Sequence, residues 1–364
     1  MDYKDTTVIR TLRAYMVPPT DLDDVYEEMT GVDWSSLAIT AGYYTDTRVT
    51  ASLRVVDSNY IKGSYIRITE QAEGDDEREI GTFAVHSDTA KDVNGAHEQN
   101  LTLISQLHAL SLDACPDLLT VGKGARIKTV VETTLKDGGK NEKDYITTDA
   151  NDYIFGNTQM LEAGATRLSR LYELAGLSNN RLDVDAHGRI TLTKYQTPDS
   201  RTPSLRLSQT DERGVILDGM TRESNWAEVP TRVIVAHDYA EGTGDNAKQH
   251  HMFAIANNGK APARGYVVSE YETLTELSPR TQNNLQAIAR QRLAEKANDK
   301  NEWSFACKYV PGLWEGDVVE LETKDSFGEF SGVRKCLVKN IDINGQYLDM
   351  DITLKETSGG DDGE

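Results

Sequence analysis

The sequence predicts an α+β protein that is mainly β, and three observations carry that class. Strand-length runs crowd residues 32–87, separated by turn-forming segments at Gly42–Asp46, Asp57–Gly63 and Gly74–Glu79. A second set of alternating segments closes the chain between 303 and 354. Between the two lies an α-containing middle with one clear amphipathic helix. Strands at this spacing with turns between them form sandwiches or barrels.

Taken in order, Val8–Val17 reads as a first strand and Leu22–Met29 as a short acidic turn of helix. Trp34–Ala41, Arg48–Val56, Ser64–Glu70 and Ile80–Ser87 are the next strands, and Gln99–Leu110 fits either a strand or a helix. Ile127–Leu135 is helical and Lys136–Lys143 a charged loop. In Met160–Ala175 the spacing of Leu161, Leu168, Leu171, Leu174 and Ala175 predicts an amphipathic helix, with Gly176 as its C-cap. Arg181–Tyr195 reads as a hairpin, Leu182 and Val184 on one arm and Ile190 and Leu192 on the other. Thr197–Pro203 is a turn, and Leu205–Ser224 is irregular with short β candidates. Strands resume at Thr231–His237, Met252–Ala256 and Tyr266–Tyr271, around a Gly-rich, mobile loop at Glu241–Gln249.

The last stretch is the most explicit. Ser278-Pro279 starts a helix whose Leu285, Ile288, Ala289 and Leu293 share a face, and Asn298–Asn301 ends it. Trp303–Val310, a Pro311-Gly312 turn, Asp317–Glu322, Arg334–Ile343 and Gln346–Leu354 then read as strands. A two-residue Asn344-Gly345 turn would set Ile341 opposite Leu348 and Leu337 opposite Ile352.

At 364 residues the chain is long enough for two to four domains. It has 39 basic against 59 acidic side chains, a net charge of -20, which argues against stable nucleic-acid binding. No run approaches a membrane span, and the N-terminus has no apolar signal segment. Cys115, Cys307 and Cys336 have no metal-ligand spacing and fit a reducing compartment.

No motif carries catalysis, so no catalytic, cofactor-binding or metal residue is assigned and no cofactor is expected. Asp183-Val-Asp185-Ala-His187-Gly188 resembles the start of a calcium loop, but Lys194 stands where the twelfth-position glutamate belongs, and a hairpin turn explains the same residues. His250-His251 with His237 lacks a third ligand type, and neighbours on a strand face opposite ways. Gly122-Lys123-Gly124 lacks the spacing of a phosphate loop. Trp34, Trp226, Trp303 and Trp314 fit core or interface positions better than a sugar platform.

The order of segments is similar to that of the tail hub, or baseplate hub, proteins of tailed bacteriophages and related contractile injection systems. The segments are Thr50-Ala-Ser-Leu-Arg-Val-Val56, Tyr65-Ile-Arg-Ile68, Gly81-Thr-Phe-Ala-Val85 and Val184-Asp-Ala-His-Gly-Arg-Ile-Thr-Leu192. They continue with Asn225-Trp-Ala-Glu-Val-Pro-Thr-Arg-Val-Ile-Val235, Ala289-Arg-Gln-Arg-Leu293 and Leu313-Trp-Glu-Gly-Asp-Val-Val-Glu-Leu321. The resemblance covers roughly residues 5–356. It implies two pseudo-equivalent antiparallel β-barrels: a first hub barrel at 1–112, and a second at 226–275 plus 301–356. A 113–225 insert, a 276–300 helix set into the second barrel and a disordered acidic tail at 357–364 complete the expected domains.

The resemblance also implies a homotrimeric ring with pseudo-sixfold symmetry that joins tail tube to tail tip and lines the DNA ejection channel. Its implied partners are the tail tube or distal tail protein ring, the tape measure protein C-terminus, and tip, fibre or spike proteins. DNA would only pass through. The expected location is the virion tail tip or baseplate, after assembly in the host bacterial cytoplasm. Many relatives continue into a lysozyme or peptidase domain or a spike, whereas this chain stops eight residues past Glu356. Puncture or digestion is therefore expected of other subunits. The alternatives are a tail-associated cell-wall-degrading enzyme, which needs a carboxylate pair in a cleft, and a glycan-binding tail-tip adhesin, which needs exposed tryptophan.

Overall fold

A computed structural model describes residues 9–211, 214–217, 219–224, 229–241, 248–259, 265–274, 281–296, 301–324 and 331–357. The chain divides into two compact units: Met1–Thr221 with Ser304–Leu354, and Arg222–Trp303 with Lys355–Glu364. Strands far outnumber helices, so the mainly β class holds.

The first unit opens with β1 (Arg10–Val17), β2 (Glu27–Glu28), β3 (Val32–Gly42), β4 (Val49–Val56), β5 (Tyr65–Ala72), β6 (Arg78–Val93), β7 (Ala96–Ile104) and α1 (Gln106–Ser111). Its middle holds β8 (Leu119–Val121), α2 (Ile127–Asp137), β9 (Tyr145–Ile146), β10 (Gln159–Leu161), α3 (Arg167–Leu177), β11 (Asn180–Val184), β12 (Ile190–Lys194) and β13 (Arg206–Ser208). After β14 (Thr221–Glu223), the second unit holds β15 (Arg232–Glu241), β16 (Lys248–Asn257), β17 (Ser269–Leu274) and α4 (Gln282–Lys296). The chain closes with β18 (Glu302–Lys308), β19 (Val318–Thr323), β20 (Gly332–Asn344) and β21 (Asp349–Glu356).

One continuous sheet runs β18–β21–β20–β3–β4–β7–β6–β5–β1–β2, with β19 against β20 and β13 parallel to β19. The link between the early and late strands is β20 on β3, where Ile341 faces Ala41 and Ile343 faces Ile39. Alternation explains these strands. Val49, Ala51, Leu53 and Val55 of β4 are all buried, as are Met350, Ile352 and Leu354 of β21, while their neighbours point outward. Residues 99–110 are both things the sequence allowed: β7 ends at Ile104 and α1 follows, its N-cap Ser105 accepting from the His108 N–H.

The middle segment contains a repeat of 40 residues that the sequence reading missed. Strand, left-handed glycine and helix recur as β8–Gly124–α2 and β10–Gly164–α3. The two copies exchange equivalent contacts. Gly124 donates to the Phe155 carbonyl as Gly164 donates to that of Cys115, and Ile127 donates to Tyr153 as Arg167 donates to Asp113. With the antiparallel β8–β10 pair centred on Thr120 and Met160, this is an internal pseudo-twofold. Its core is Val131, Leu135, Phe155, Leu168, Leu171 and Leu174, to which hairpin β11–β12 adds Leu182, Ile190 and Leu192.

Four local expectations are corrected. Residues 22–29 form turns and β2 rather than helix, because Tyr26 and Met29 donate backbone bonds to Met16 and Ala14 of β1. Leu161 belongs to β10, since left-handed Gly164 separates it from α3, which starts at N-cap Thr166. Gly176 lies inside α3; Ser178 is the C-cap and Asn179 takes the left-handed position (φ 50°). The final hairpin turns through 345–348 rather than two residues, so Leu348 (φ 51°) is a turn residue and not the partner of Ile341. Hairpin β11–β12 has the expected arms, Leu182 facing Leu192 and Val184 facing Ile190.

In the second unit β16–β15–β17 form a three-stranded sheet. Leu285 and Ala289 of α4 bury against Val233, Val235, Ala254 and Ala256 on one face. The Ser278-Pro279 start of that helix, most of the Glu241–Gln249 loop, Trp226 and the acidic tail from 358 lie outside the described residues.

Candidate functional site

A cavity in the first unit and an uncovered sheet face in the second have the geometry of a site among the described residues. The cavity, about 350 Å3, is formed by the β3–β4 turn, α3, the start of β11 and the end of the hairpin. Four tyrosines line it, Tyr43, Tyr44, Tyr172 and Tyr195, together with Arg48 and Arg181. Tyr44 stands edge-on to Tyr43 at 4.9 Å and is 59% exposed. The Tyr172 hydroxyl donates to the Asp46 carbonyl (2.6 Å), tying α3 to the turn. Burial pushes the Tyr172 phenol up to about 12.

A compact charge cluster borders these rings. Arg181 lies over Tyr43 at 4.4 Å, and Arg48 sits 5.6 Å from Tyr43 and 5.9 Å from Tyr172. Arg48 has a left-handed backbone (φ 59°), unfavourable for a long side chain, and its guanidinium donates to the Leu182 carbonyl. Asp183 pairs with Arg181 and lies 3.9 Å from Arg48. Behind them is Glu315, 4% exposed, 3.9 Å from Arg181, with no hydrogen-bond donor on either carboxyl oxygen. Burial, with the Asp183 charge, pushes Glu315 up to about 8 against the pull of Arg181 and Arg48. Asp317 is raised by burial, and Arg201, which donates to the Gly316 carbonyl, is lowered by it. The Nε groups of Arg48 and Arg181 are buried and meet no acceptor, an arrangement that costs about 1–3 kcal/mol for each orphan donor.

The residues singled out in the sequence are distributed differently. Asp183 belongs to the charge cluster, whereas Asp185 closes the hairpin turn by accepting from the Arg189 N–H, with Gly188 at φ 90°. His187 docks the hairpin tip on the first strands: Nδ1 lies 3.0 Å from Glu79, and Nε2 lies 3.1 Å from Asp23 and 3.2 Å from Arg67. His237 and His250 stack on either side of Tyr239 at 5.5 and 4.9 Å, while His251 faces the other way, toward Asp238 (2.5 Å). Gly122-Lys123-Gly124 is the turn into α2. Trp303 is fully buried; Trp34 and Trp314 are half-buried. The three cysteines are buried and unbridged, and burial pushes Cys307 up to about 12.

The uncovered face lies opposite α4. Ile234 sits between Ile255 and Tyr271 in register, and Phe253 is beside Ala236. Phe253 and Tyr271 are 52% and 60% exposed, so this face carries large apolar rings in water. Among the described residues no helix is long and apolar enough to cross a membrane.

The fold is similar to that of solved phage tail proteins. The fold matches a tail protein from Neisseria meningitidis over 96% of this chain and 97% of that one, with a TM-score of 0.68 at 13% identity. It matches the 43 kDa tail protein of a Shewanella oneidensis prophage over 95% and 98%, with a TM-score of 0.65 at 12% identity. A type VI secretion component of Escherichia coli, itself structurally similar to the T4 tail proteins gp27 and gp5, matches over 90% of this chain and 74% of that one (TM-score 0.52, 11% identity). No protein-family model and no curated protein matches the sequence.

Proposed function

We propose that the chain is a non-enzymatic tail hub subunit: a homotrimer whose two β-barrel regions alternate round a pseudo-sixfold ring. The ring joins the tail tube, or a distal tail protein ring, to the tip, fibre or spike, and receives the tape measure protein C-terminus. In this reading the barrels are 1–112 and 226–275 with 301–356, and the 113–225 insert and 276–300 helix decorate the ring. The protein resides at the virion tail tip or baseplate after assembly in the bacterial cytoplasm.

The observation that carries the reading is the end-to-end likeness to tail proteins, with neither chain leaving a large part unmatched. Two features support it. Phe253, Ile255 and Tyr271 offer an apolar surface for a neighbouring subunit, and the -20 charge suits a channel through which DNA slides without adhering. Light scattering and negative-stain imaging test it. The expected result is a particle of three times the 40.4 kDa chain mass with a central hole. A monomer at every concentration that also fails to cap purified tail-tube rings would overturn the proposal.

A further inference from the structure

The cavity beneath Tyr44 has no part in ring formation as proposed, yet it is built at some cost: a left-handed arginine, two orphaned guanidinium Nε groups and a buried neutral carboxyl. Its volume is at the lower end of the ~300–1,000 Å3 of small-ligand pockets, room for one or two rings. The lining decides the chemistry. Tyrosine faces offer flat apolar contact to C–H groups, while guanidinium donors and carboxylate acceptors lie within one cluster. The charges nearly cancel, because Asp183, Asp317 and the rim residue Asp46 stand against Arg48, Arg181 and Arg201. An anion would therefore find little uncompensated positive charge. A neutral polyhydroxylated ring supplies both apolar faces and hydroxyls for donors and acceptors alike.

We propose that this cavity is a saccharide-binding site that takes one or two neutral sugar rings, stacked on Tyr44 and hydrogen-bonded by Arg48 and Arg181. The site is assembled by the insert's α3 and β11 against the β3–β4 turn. It gives the subunit a glycan contact separate from ring assembly, and it uses tyrosines where the sequence drew attention to tryptophans.

The test is saturation-transfer NMR on the full chain with glucose, galactose, rhamnose and N-acetylglucosamine. Glucuronate and glutamate serve as charged controls. Two variants leave the fold intact for different reasons. Tyr44→Ala removes an exposed ring, and Gly176→Phe adds a ring at a cavity-lining position of α3 where an added Cβ meets no atom within 4 Å. The expected result is transfer to at least one neutral sugar, weakened roughly tenfold or more in affinity by each variant at an unchanged thermal midpoint. Absence of transfer to all four sugars, transfer that survives both variants, or transfer to glutamate and not to sugars would each overturn the proposal.

Discussion

Glu315 is the residue at which burial and charge are most directly opposed. Its carboxyl is pushed up to about 8, first by burial and then by Asp183, so it is protonated in the folded chain at neutral pH. In the unfolded chain it ionises near 4.5. Because the folded value is the higher one, its favourable contribution is complete below about pH 4.5 and is lost progressively as pH rises to about 8. Glu315→Gln keeps the neutral shape and removes the titration. The variant should match the parent near pH 4.5 and exceed it at pH 8.5 by roughly 4–5 kcal/mol, read from denaturant midpoints at both values. An equal gain or loss at both pH values would mean that Glu315 is ionised in the fold, held by Arg181. Tyr172 makes a second residue-scale case. Tyr172→Phe deletes only the bond to the Asp46 carbonyl and should cost about 1 kcal/mol, checked by the same midpoints.

At the scale of elements, Gly345 shows how a correct motif carried the wrong mechanism. Asn-Gly after a β pattern predicts a two-residue turn, but Gly345 is not left-handed. It is small because an added Cβ would overlap the Trp34 carbonyl oxygen and lie 2.6 Å from the Leu37 Cβ. Both are held by β3, which cannot yield cheaply. Gly345→Ala should therefore destabilise the first unit by roughly 2–3 kcal/mol, whereas a free turn would lose only a few tenths. Urea unfolding measures the difference. What was legible was local: the alternation of Met350, Ile352 and Leu354, the arms of β11–β12, and the Leu168–Leu171–Leu174 stripe. The internal repeat was not, because Gly124-Ala125 and Gly164-Ala165 are almost all that its copies share in sequence; the rest is matched only in shape. Nor was the cavity, since Tyr43, Arg48, Arg181 and Glu315 come from three distant segments that only the β20–β3 pairing and hairpin docking bring together. The adjacent Tyr43-Tyr44 in a turn was the one local sign of it.

For the whole molecule, the acidic balance and the uncovered face pull assembly in opposite directions. Bringing three chains of net charge -20 together costs Coulomb energy that falls with ionic strength, as the screening length shortens from about 30 Å at 0.01 M to about 8 Å at 0.15 M. Burial of Phe253, Ile255 and Tyr271 depends far less on salt at these concentrations. The proposed trimer should therefore tighten as sodium chloride rises from about 0.02 M to about 0.5 M, seen as a lower dissociation midpoint in sedimentation dilution series. Phe253→Lys should weaken it throughout that range, because the ring it replaces is half-exposed in the single chain and contributes little to folding. Association that weakens with salt would mean that complementary ion pairs hold the subunits together. The acidic surface would then face its neighbours instead of the channel, and the lumen would need another source of repulsion toward DNA.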